Sequence, residues 1–218
     1  MLLQDQYDSI LEQIAQMGFD LECIPGVNGL DDFLANAGAT FIQGIPTFNS
    51  RVNHLDESNS FWYRVTREGR GIACIAAKLW ESDDLGADIS TLRIWYQTGT
   101  NGAYTGTPVG NPLEGLSGRW SIGGKLFVAP EARKSGLSTL LTVLIRTKMA
   151  LEYATVGHFC LIISVLVGKD LDTKTYLYPR KAQPALIVKN NKTGEITPFT
   201  ANWITRDEMI QTDVIGLG

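Results

Sequence analysis

The feature that most constrains the fold is an apolar stripe of helical spacing, followed closely by an unbroken apolar run. Apolar side chains recur at i, i+3, i+4, i+7, i+8 and i+12, at Leu137, Leu140, Leu141, Leu144, Ile145 and Met149. This spacing predicts one amphipathic helix over residues 135–153. Residues 159–167 are almost continuously apolar and β-branched, which predicts a buried central strand. With a further strand predicted at 120–128, the segment forms a βαβ unit with a right-handed crossover.

The remaining segments predict more helices and strands around that unit. Apolar residues have helical spacing over 6–17, and a short helix is predicted at 30–37. Residues 61–66 and 72–80 predict a β-hairpin, because both are rich in aromatic and aliphatic residues and flank a turn-like stretch. Strands are also predicted at 185–189 and near 195–199. Residues 89–95 fit either a helix or a strand, and 97–118 predict a long loop, which in a compact domain is usually functional or mobile.

Composition and charge narrow the class of protein. The net charge of −4 argues against nucleic acid as a partner, because such binding depends on Lys and Arg neutralising phosphates. The three cysteines, Cys23, Cys74 and Cys160, lack the spacing of a disulfide framework or a metal site. Neither a secretory signal nor a membrane-spanning stretch is predicted. We therefore expect a cytoplasmic protein with no metal and no membrane partner.

The loop that enters the long helix is the segment best suited to bind a ligand. Amide groups that open a helix lack intrahelical acceptors and lie at the positive end of its dipole, where phosphates bind. Gly136 allows close approach of the backbone, and two cations and two hydroxyls add charge and polar contacts. The sequence therefore predicts a diphosphate cradle made of Arg133, Lys134, Ser135, Gly136, Leu137 and Ser138.

The same loop resembles the acetyl-CoA signature of the GNAT acyltransferases, an R/Q-x-x-G-x-G/A motif between a strand and a helix. Arg133 and Gly136 match the motif, Val128 and Pro130 match the Val-x-Pro that precedes it, and Ser138 replaces the usual Gly or Ala. The resemblance covers roughly residues 61–178. It implies a single α/β domain over 1–218 (α+β in some schemes), with a central mixed, mostly antiparallel sheet flanked by helices. An N-terminal extension at about 1–60 and an insert at about 83–118 lie outside it.

The resemblance also implies an activity, which is transfer of an acyl group, most often acetyl, from acyl-CoA to an amine by direct attack. Leu126, Phe127 and Val128 would then pair with the pantetheine arm, which enters a gap between the signature strand and the strand after the helix. The family often uses a tyrosine after that second strand as the acid that protonates the leaving thiolate. Tyr178 resembles that tyrosine, and Tyr176 is the second choice.

Several alternatives stay open at the level of sequence. The Glu that the family often places on the signature strand is missing from residues 120–125, so Glu81, a water chain or no base at all remains possible. That gap favours, as the alternative, a non-catalytic CoA-binding or protein-interaction module with the same fold. The acceptor is expected to be a small-molecule or peptide amine, and a homodimer is possible. Residues 118–126 lack the spacing of a phosphate-binding P-loop, and neither His54 nor His158 is placed as a base.

Overall fold

One continuous sheet of eight strands organises the computed structural model, which describes residues 2–39, 46–100, 102–110, 112–167 and 171–211. The side chains of residues 171 and 172 are outside that description. The strands are β1 (Asp20–Pro25), β2 (Ser60–Arg67), β3 (Arg70–Ser82), β4 (Tyr104–Pro108), β5 (Gly118–Val128), β6 (Gly157–Ile163), β7 (Arg180–Asn190) and β8 (Ile196–Thr205).

Helices cover both faces of this sheet. They are α1 (Leu3–Gln16), α2 (Leu30–Asn36), α3 (Leu85–Ser90), α4 (Leu137–Glu152), α5 (Ser164–Val167) and α6 (Arg206–Gln211). Single 3-10 turns lie at Pro46–Phe48 and Pro130–Ala132, and a π-helical turn at Leu171–Thr175. Among the helices that the structure describes, none combines the length and the apolar character that crossing a bilayer requires.

The strand order is β1-β2-β3-β5-β6-β8-β7-β4. Every neighbouring pair is antiparallel except β5 and β6, which run parallel because α4 carries the chain back between them. The sheet is therefore mixed and mostly antiparallel, as the sequence predicts. Its two edges come from the N-terminal segment, which supplies β1, and from the segment between β3 and β5, which supplies β4.

The core is divided between the two faces of the sheet. On one face the apolar stripe of α4 packs with α1 against β2 and β3, with Ile10, Ile14, Tyr63, Ile75 and Leu144 all buried. On the other face an aromatic cluster covers β5, β6 and β8, and it includes Trp80, Trp95, Trp120, Phe159, Phe199 and Trp203. The burial of α4 is nearly complete because a helix between the sheet and a second helix exposes little of its surface.

Two predictions about secondary structure need correction, one segment stayed open, and one strand was missed. The strand predicted at 159–167 ends at Ile163, and residues 164–167 form α5 instead. The ambiguous segment at 89–95 belongs to α3 and the turns after it, and the predicted loop at 97–118 contains β4. The strand β1 was not predicted. Both missed strands lie at edges of the sheet and are largely exposed, so neither shows the apolar alternation that marks a half-buried strand.

Candidate active site

The strands β5 and β6 pair at one end and separate at the other. Their parallel ladder holds only Trp120 with Gly157, Ser121 with His158, and Ile122 with Phe159. Beyond that point β5 continues to Val128 and β6 to Ile163 with no further pairing between them. The backbone edges that face each other from Gly123 and Cys160 onward are therefore open to a ligand.

A β-bulge in β5 begins at the same place. Ala76 of β3 pairs with Gly124, whereas Cys74 pairs with Phe127, so that Lys125 and Leu126 together oppose the single residue Ile75. Lys125 has a φ of 54°, in the left-handed region. An extra residue in one strand bends it and increases its local twist. The bulge therefore accompanies the separation of β5 from β6.

A cavity of about 160 Å³ occupies the gap on the side of α4. Its walls include Gly123, Gly124 and Leu126 from β5, and His158, Cys160 and Ile162 from β6. Thr142 and Ile145 of α4 close it from above, and Tyr176 and Tyr178 border it after the π-helical turn. Leu126 and the two candidate tyrosines therefore line the same cavity.

The predicted cradle lies between the end of β5 and the start of α4. The amides of Lys134, Ser135, Gly136 and Ser138 have no hydrogen-bond acceptor among the described residues. The amide of Arg133 is bonded to the carbonyl of Pro130 at 3.3 Å. Lys134 and Gly136 have φ values of 68° and 86°, and Gly136 is the N-cap of α4. Several donors at this helix start are therefore free to bind an anion.

Charge at the cradle favours the same kind of ligand. Arg133 and Lys134 are exposed and form no ion pair within the described part of the chain. The nearby carboxylate of Glu131 is paired with Arg70 at 3.0 Å. Ser135 has a capping role, because its hydroxyl donates to the carbonyl of Ala132 at 2.7 Å and accepts from the amide of Leu137 at 3.4 Å. Its side chain is thus engaged by protein, whereas its amide is not.

The signature strand carries the three residues that were expected to meet pantetheine. Leu126 lines the gap, but Phe127 points to the opposite face of the sheet and packs with Trp62 and Cys74. Val128 is half-buried, and its carbonyl accepts from the Nε atom of Arg133 at 3.3 Å. Any contact of Phe127 with a pantetheine arm would therefore come from its backbone.

The two candidate tyrosines have different surroundings. The Tyr178 side chain is buried and 4% exposed, and its hydroxyl hydrogen-bonds the side chain of Cys160. Burial raises the pKa of Tyr178 well above its usual value, so the phenol stays protonated at neutral pH. Tyr176 is less deeply buried, and loss of solvent raises its pKa to about 12. Tyr178 thus has the environment of a proton donor within the gap.

His158 is the site residue that sequence reasoning did not place. It is fully buried on β6, its Nδ1 atom lies 2.5 Å from the Ser121 hydroxyl oxygen, and its ring stacks on Tyr178 at 6.0 Å. Its Nε2 atom has no hydrogen-bond partner among the described residues. Burial, assisted by the charge of Arg146, lowers the pKa of His158 to about 3. The available signal was its position at the start of a buried strand, two residues before Cys160.

The other residues considered from sequence lie elsewhere. Glu81 lies one residue before the end of β3, is exposed, and pairs with Arg119 at 2.9 Å, so it does not reach the gap. His54 is exposed, and Trp95 and Trp120 are buried in the aromatic cluster. Within the described residues, no group of His, Cys, Asp and Glu side chains has the geometry of a metal site. Of the side chains considered as a base or acid, therefore, only Tyr176, Tyr178 and His158 line the gap.

A second cavity of about 190 Å³ lies on the opposite face of the same segment. Side chains alternate along a strand, so His158, Cys160 and Ile162 face the first cavity, whereas Phe159 and Ile163 face the second. Gly123, Gly124 and Leu161 border both cavities. A Cβ atom on Gly123 would lie 2.7 Å from Nε2 of His158, and one on Gly124 would lie 2.8 Å from the Phe48 ring. At Gly123 and Gly124, therefore, only the backbone of β5 separates the two cavities.

Comparison with known proteins gives structural matches only. No protein-family model matches the sequence, and no curated protein matches it. The structure is similar to FeeM, an N-acyl amino acid synthase from uncultured soil microbes, with 10% identity over 90% of this chain and 96% of that one and a TM-score of 0.52. It is also similar to NAA60 from Arabidopsis thaliana, solved with acetyl-CoA, with 10% identity over 87% and 99% of the two chains and a TM-score of 0.51.

At this level of identity the matches establish the fold. The chain has the fold of the GNAT acyl-CoA N-acyltransferases, which confirms the expectation drawn from the loop at residues 128–138. Three features define this fold here: the mixed sheet, the parallel strand pair that separates after three residue pairs, and the helix that begins at the gap.

Proposed function

We propose that this protein transfers an acyl group from acyl-CoA to an amine. The observation that carries the proposal is the coincidence of two features: the gap between β5 and β6, and the free amides at the start of α4. The gap fits an extended chain with amide groups, and the free amides fit a diphosphate. CoA joins these two parts in one molecule. The two similar structures, an N-acyl amino acid synthase and NAA60 in complex with acetyl-CoA, support the same class of donor.

The diphosphate would bind the amides of Lys134, Ser135, Gly136 and Ser138, with Arg133 and Lys134 adding charge. Hydrogen bonds to charged groups contribute about 1.5–3 kcal/mol each, so a few of them hold the donor firmly. The pantetheine arm would then lie along the open edge of β5 from Leu126 toward Gly123. This course brings the thioester to the point where the strands meet, beside His158 and Tyr178.

The chemistry would proceed by direct attack. The amine nitrogen forms a bond to the thioester carbonyl carbon, and a backbone amide at the open strand edge stabilises the oxygen as it gains charge. The carbon–sulfur bond then breaks, and the Tyr178 hydroxyl gives its proton to the leaving thiolate. The nitrogen, positively charged after the attack, loses a proton to become the amide, and that proton returns to the Tyr178 oxygen. Tyr178 suits this role because its phenol is protonated at neutral pH and borders the cavity.

No Asp or Glu lines either cavity among the described residues. The amine must therefore lose its proton to water or to the unpartnered Nε2 atom of His158. With a pKa of about 3, that imidazole is neutral across the physiological range and a weak base. The same lack of a carboxylate is the observation that favours the second candidate, a module that binds CoA without turning it over.

Binding and turnover separate these candidates. Calorimetry with CoA tests the cradle, and release of free thiol from acetyl-CoA and octanoyl-CoA over a panel of amines tests catalysis. Turnover with at least one amine supports the enzyme. Micromolar CoA binding without thiol release on any amine supports the module. Absence of CoA binding rejects both.

Replacing Tyr178 by Phe tests the proposed acid. The ring and its stacking on His158 are kept, so we expect kcat to fall about 100-fold or more while the KM for acyl-CoA hardly changes. The matched variant Tyr176→Phe removes a hydroxyl from the same cavity wall and should lose far less activity. If the two variants lose equal activity, or if neither loses any, Tyr178 is not the acid.

A further inference from the structure

The cavity behind the gap, on the face away from α4, differs in character from the one in front of it. Its walls are mainly apolar and aromatic, formed by Phe48, Ile94, Trp95, Ile122, Phe159 and Ile163. Five of these six side chains are at most 4% exposed, so the cavity reaches into the core. Apart from two glycines, the remaining wall residues are Leu161, Thr47 and Lys125. The Lys125 ammonium is paired with Asp31 at 3.3 Å.

We propose that this rear cavity binds the acyl chain of the donor, and that the donor carries an aliphatic chain longer than acetyl. The inference rests on the proposed function, because it places the thioester at the point where β5 and β6 meet. From that point the way into the rear cavity passes Gly123, Gly124 and Leu161, which border both cavities. Because Gly123 and Gly124 carry no side chains, no side chain of β5 lies between the two cavities at this point.

The charge of the walls distinguishes an acyl chain from an acceptor amine. Before it reacts, an amine arrives as an ammonium ion, and burying that ion without a carboxylate is costly. The described walls of the rear cavity contain no Asp or Glu, and their one cation, Lys125, is already paired with Asp31. A neutral hydrocarbon chain has no such cost and gains from leaving water. By contrast, a wider groove of about 660 Å³ beside α2 is lined by charged side chains of both signs, Asp32, Glu131, Arg64 and Arg70.

A series of donors of increasing chain length provides the test. Calorimetry with acetyl-, butyryl-, hexanoyl- and octanoyl-CoA measures affinity without any amine. Each methylene that enters the cavity should tighten binding about fourfold until the cavity is full. Where an accepting amine is known, kcat/KM should rise along the same series. If octanoyl-CoA binds no more tightly than acetyl-CoA, the inference is wrong.

A filled cavity provides the second arm of the test. Ile163→Trp places a larger side chain at the mouth of the rear cavity. Because Ile163 is 37% exposed, the fold should tolerate this change. We expect this variant to bind acetyl-CoA as the wild type does and to lose at least about tenfold in affinity for octanoyl-CoA. The control Ile196→Trp changes an isoleucine that is 63% exposed on β8, outside both cavities, and should bind both donors normally.

The failures of the two proposals are distinguishable. If no CoA ester binds, the proposed function fails. If every ester binds with the same affinity, or Ile163→Trp weakens acetyl-CoA and octanoyl-CoA equally, only the acyl-chain inference fails. Equal loss of octanoyl-CoA affinity in Ile163→Trp and Ile196→Trp would also overturn it, because the chain would then bind outside the rear cavity.

Discussion

Two cations are buried in this protein without a carboxylate beside them in the described part of the chain. Arg146 on α4 is fully buried and donates to the carbonyls of Tyr176 and Leu177 at 3.1 and 3.2 Å, which fixes the segment that carries Tyr178. Lys78 on β3 is 1% exposed, and its ammonium donates to the carbonyl of Ile94 and the side chain of Asn53. Each holds a loop that borders one of the two cavities.

Lys78 should make stability depend on pH in the alkaline range. Burial lowers its pKa to about 7 in the folded protein, against about 10.5 in the unfolded chain. Between those values the unfolded state binds more protons, so stability is complete above the unfolded pKa and falls as the pH drops toward 7. Relative to Lys78→Met, the wild type should gain about 2 kcal/mol between pH 7 and pH 9.

Urea unfolding at the two pH values measures this difference. The control Lys192→Met removes a lysine that is exposed in the turn between β7 and β8, and it should show the same pH dependence as the wild type. If the free energy of unfolding changes equally with pH in Lys78→Met and in the wild type, Lys78 is charged and well solvated in the fold.

His158 should make stability depend on pH in the acid range. Its folded pKa of about 3 lies below its ordinary value of 6.5, because burial disfavours the imidazolium. The unfolded chain therefore binds a proton that the folded protein does not, and stability falls as the pH drops from 6.5 toward 3. His158→Gln keeps a polar group near Ser121 but cannot titrate, so the wild type should lose about 2 kcal/mol relative to it between pH 6.5 and pH 4.5.

Thermal or urea unfolding in the two buffers provides the measurement. His54→Gln, at the exposed histidine, serves as the control and should follow the wild type. A wild type that is no more acid-sensitive than His158→Gln would show that solvent reaches the imidazole through the gap.

At the scale of elements, the loop before α4 combines two tasks in a few residues. The strand β5 ends at Val128, just before Pro130, which cannot donate to a ladder, and the helix begins at a glycine with a φ of 86°. That backbone conformation favours glycine, and the same residue carries one of the free amides. The backbone conformation at the helix start and the binding of a ligand to the free amide therefore both favour glycine at position 136.

The pair Gly136→Ala and Gly194→Ala separates backbone strain from ligand contact. Gly194 has a φ of 76° in the open turn between β7 and β8, with nothing within 4 Å of an added Cβ. Each variant should lose about 1 kcal/mol of stability, because a Cβ is disfavoured in the left-handed region. Only Gly136→Ala should also weaken CoA binding, by about tenfold or more in calorimetry. Unchanged CoA affinity in Gly136→Ala would place the diphosphate elsewhere.

The βαβ unit shows what periodicity predicts well and where it stops. The α4 stripe from Leu137 to Met149 and the apolar run after it gave a helix and a strand that the structure contains, to within a few residues at most ends. The run was predicted as strand through residue 167, but it turns into α5 at Ser164. Apolar character persists across that boundary because both elements pack on the protein, so hydrophobicity alone does not mark the change.

At the scale of the whole molecule, the sheet joins parts that sequence reasoning treated as additions. The N-terminal segment contributes α1 and the edge strand β1, and the segment between β3 and β5 contributes α3 and the opposite edge strand β4. Hydrogen bonds run through all eight strands without a break. We therefore expect one cooperative unfolding transition, as in a single domain.

Far-UV circular dichroism and tryptophan fluorescence should report that transition at the same urea concentration. The tryptophans lie in different parts of the sheet, with Trp62 near α2 and Trp95 in the segment between β3 and β5, so a separately unfolding part would shift one signal against the other. Two resolved transitions would contradict the single-domain prediction.

The sequence by itself determined the elements whose side chains repeat with a clear period, and it determined the loop whose residue types suit a diphosphate. It also placed both tyrosines after the second strand of the unit. Only the tertiary structure decided that β5 and β6 separate after Ile122 and Phe159, that His158 meets Tyr178 in the gap, and that an apolar cavity lies behind Gly123 and Gly124. The reason is physical: periodicity reports which face of an element is buried, whereas a gap or a cavity depends on how far two elements stand apart, which no single segment encodes.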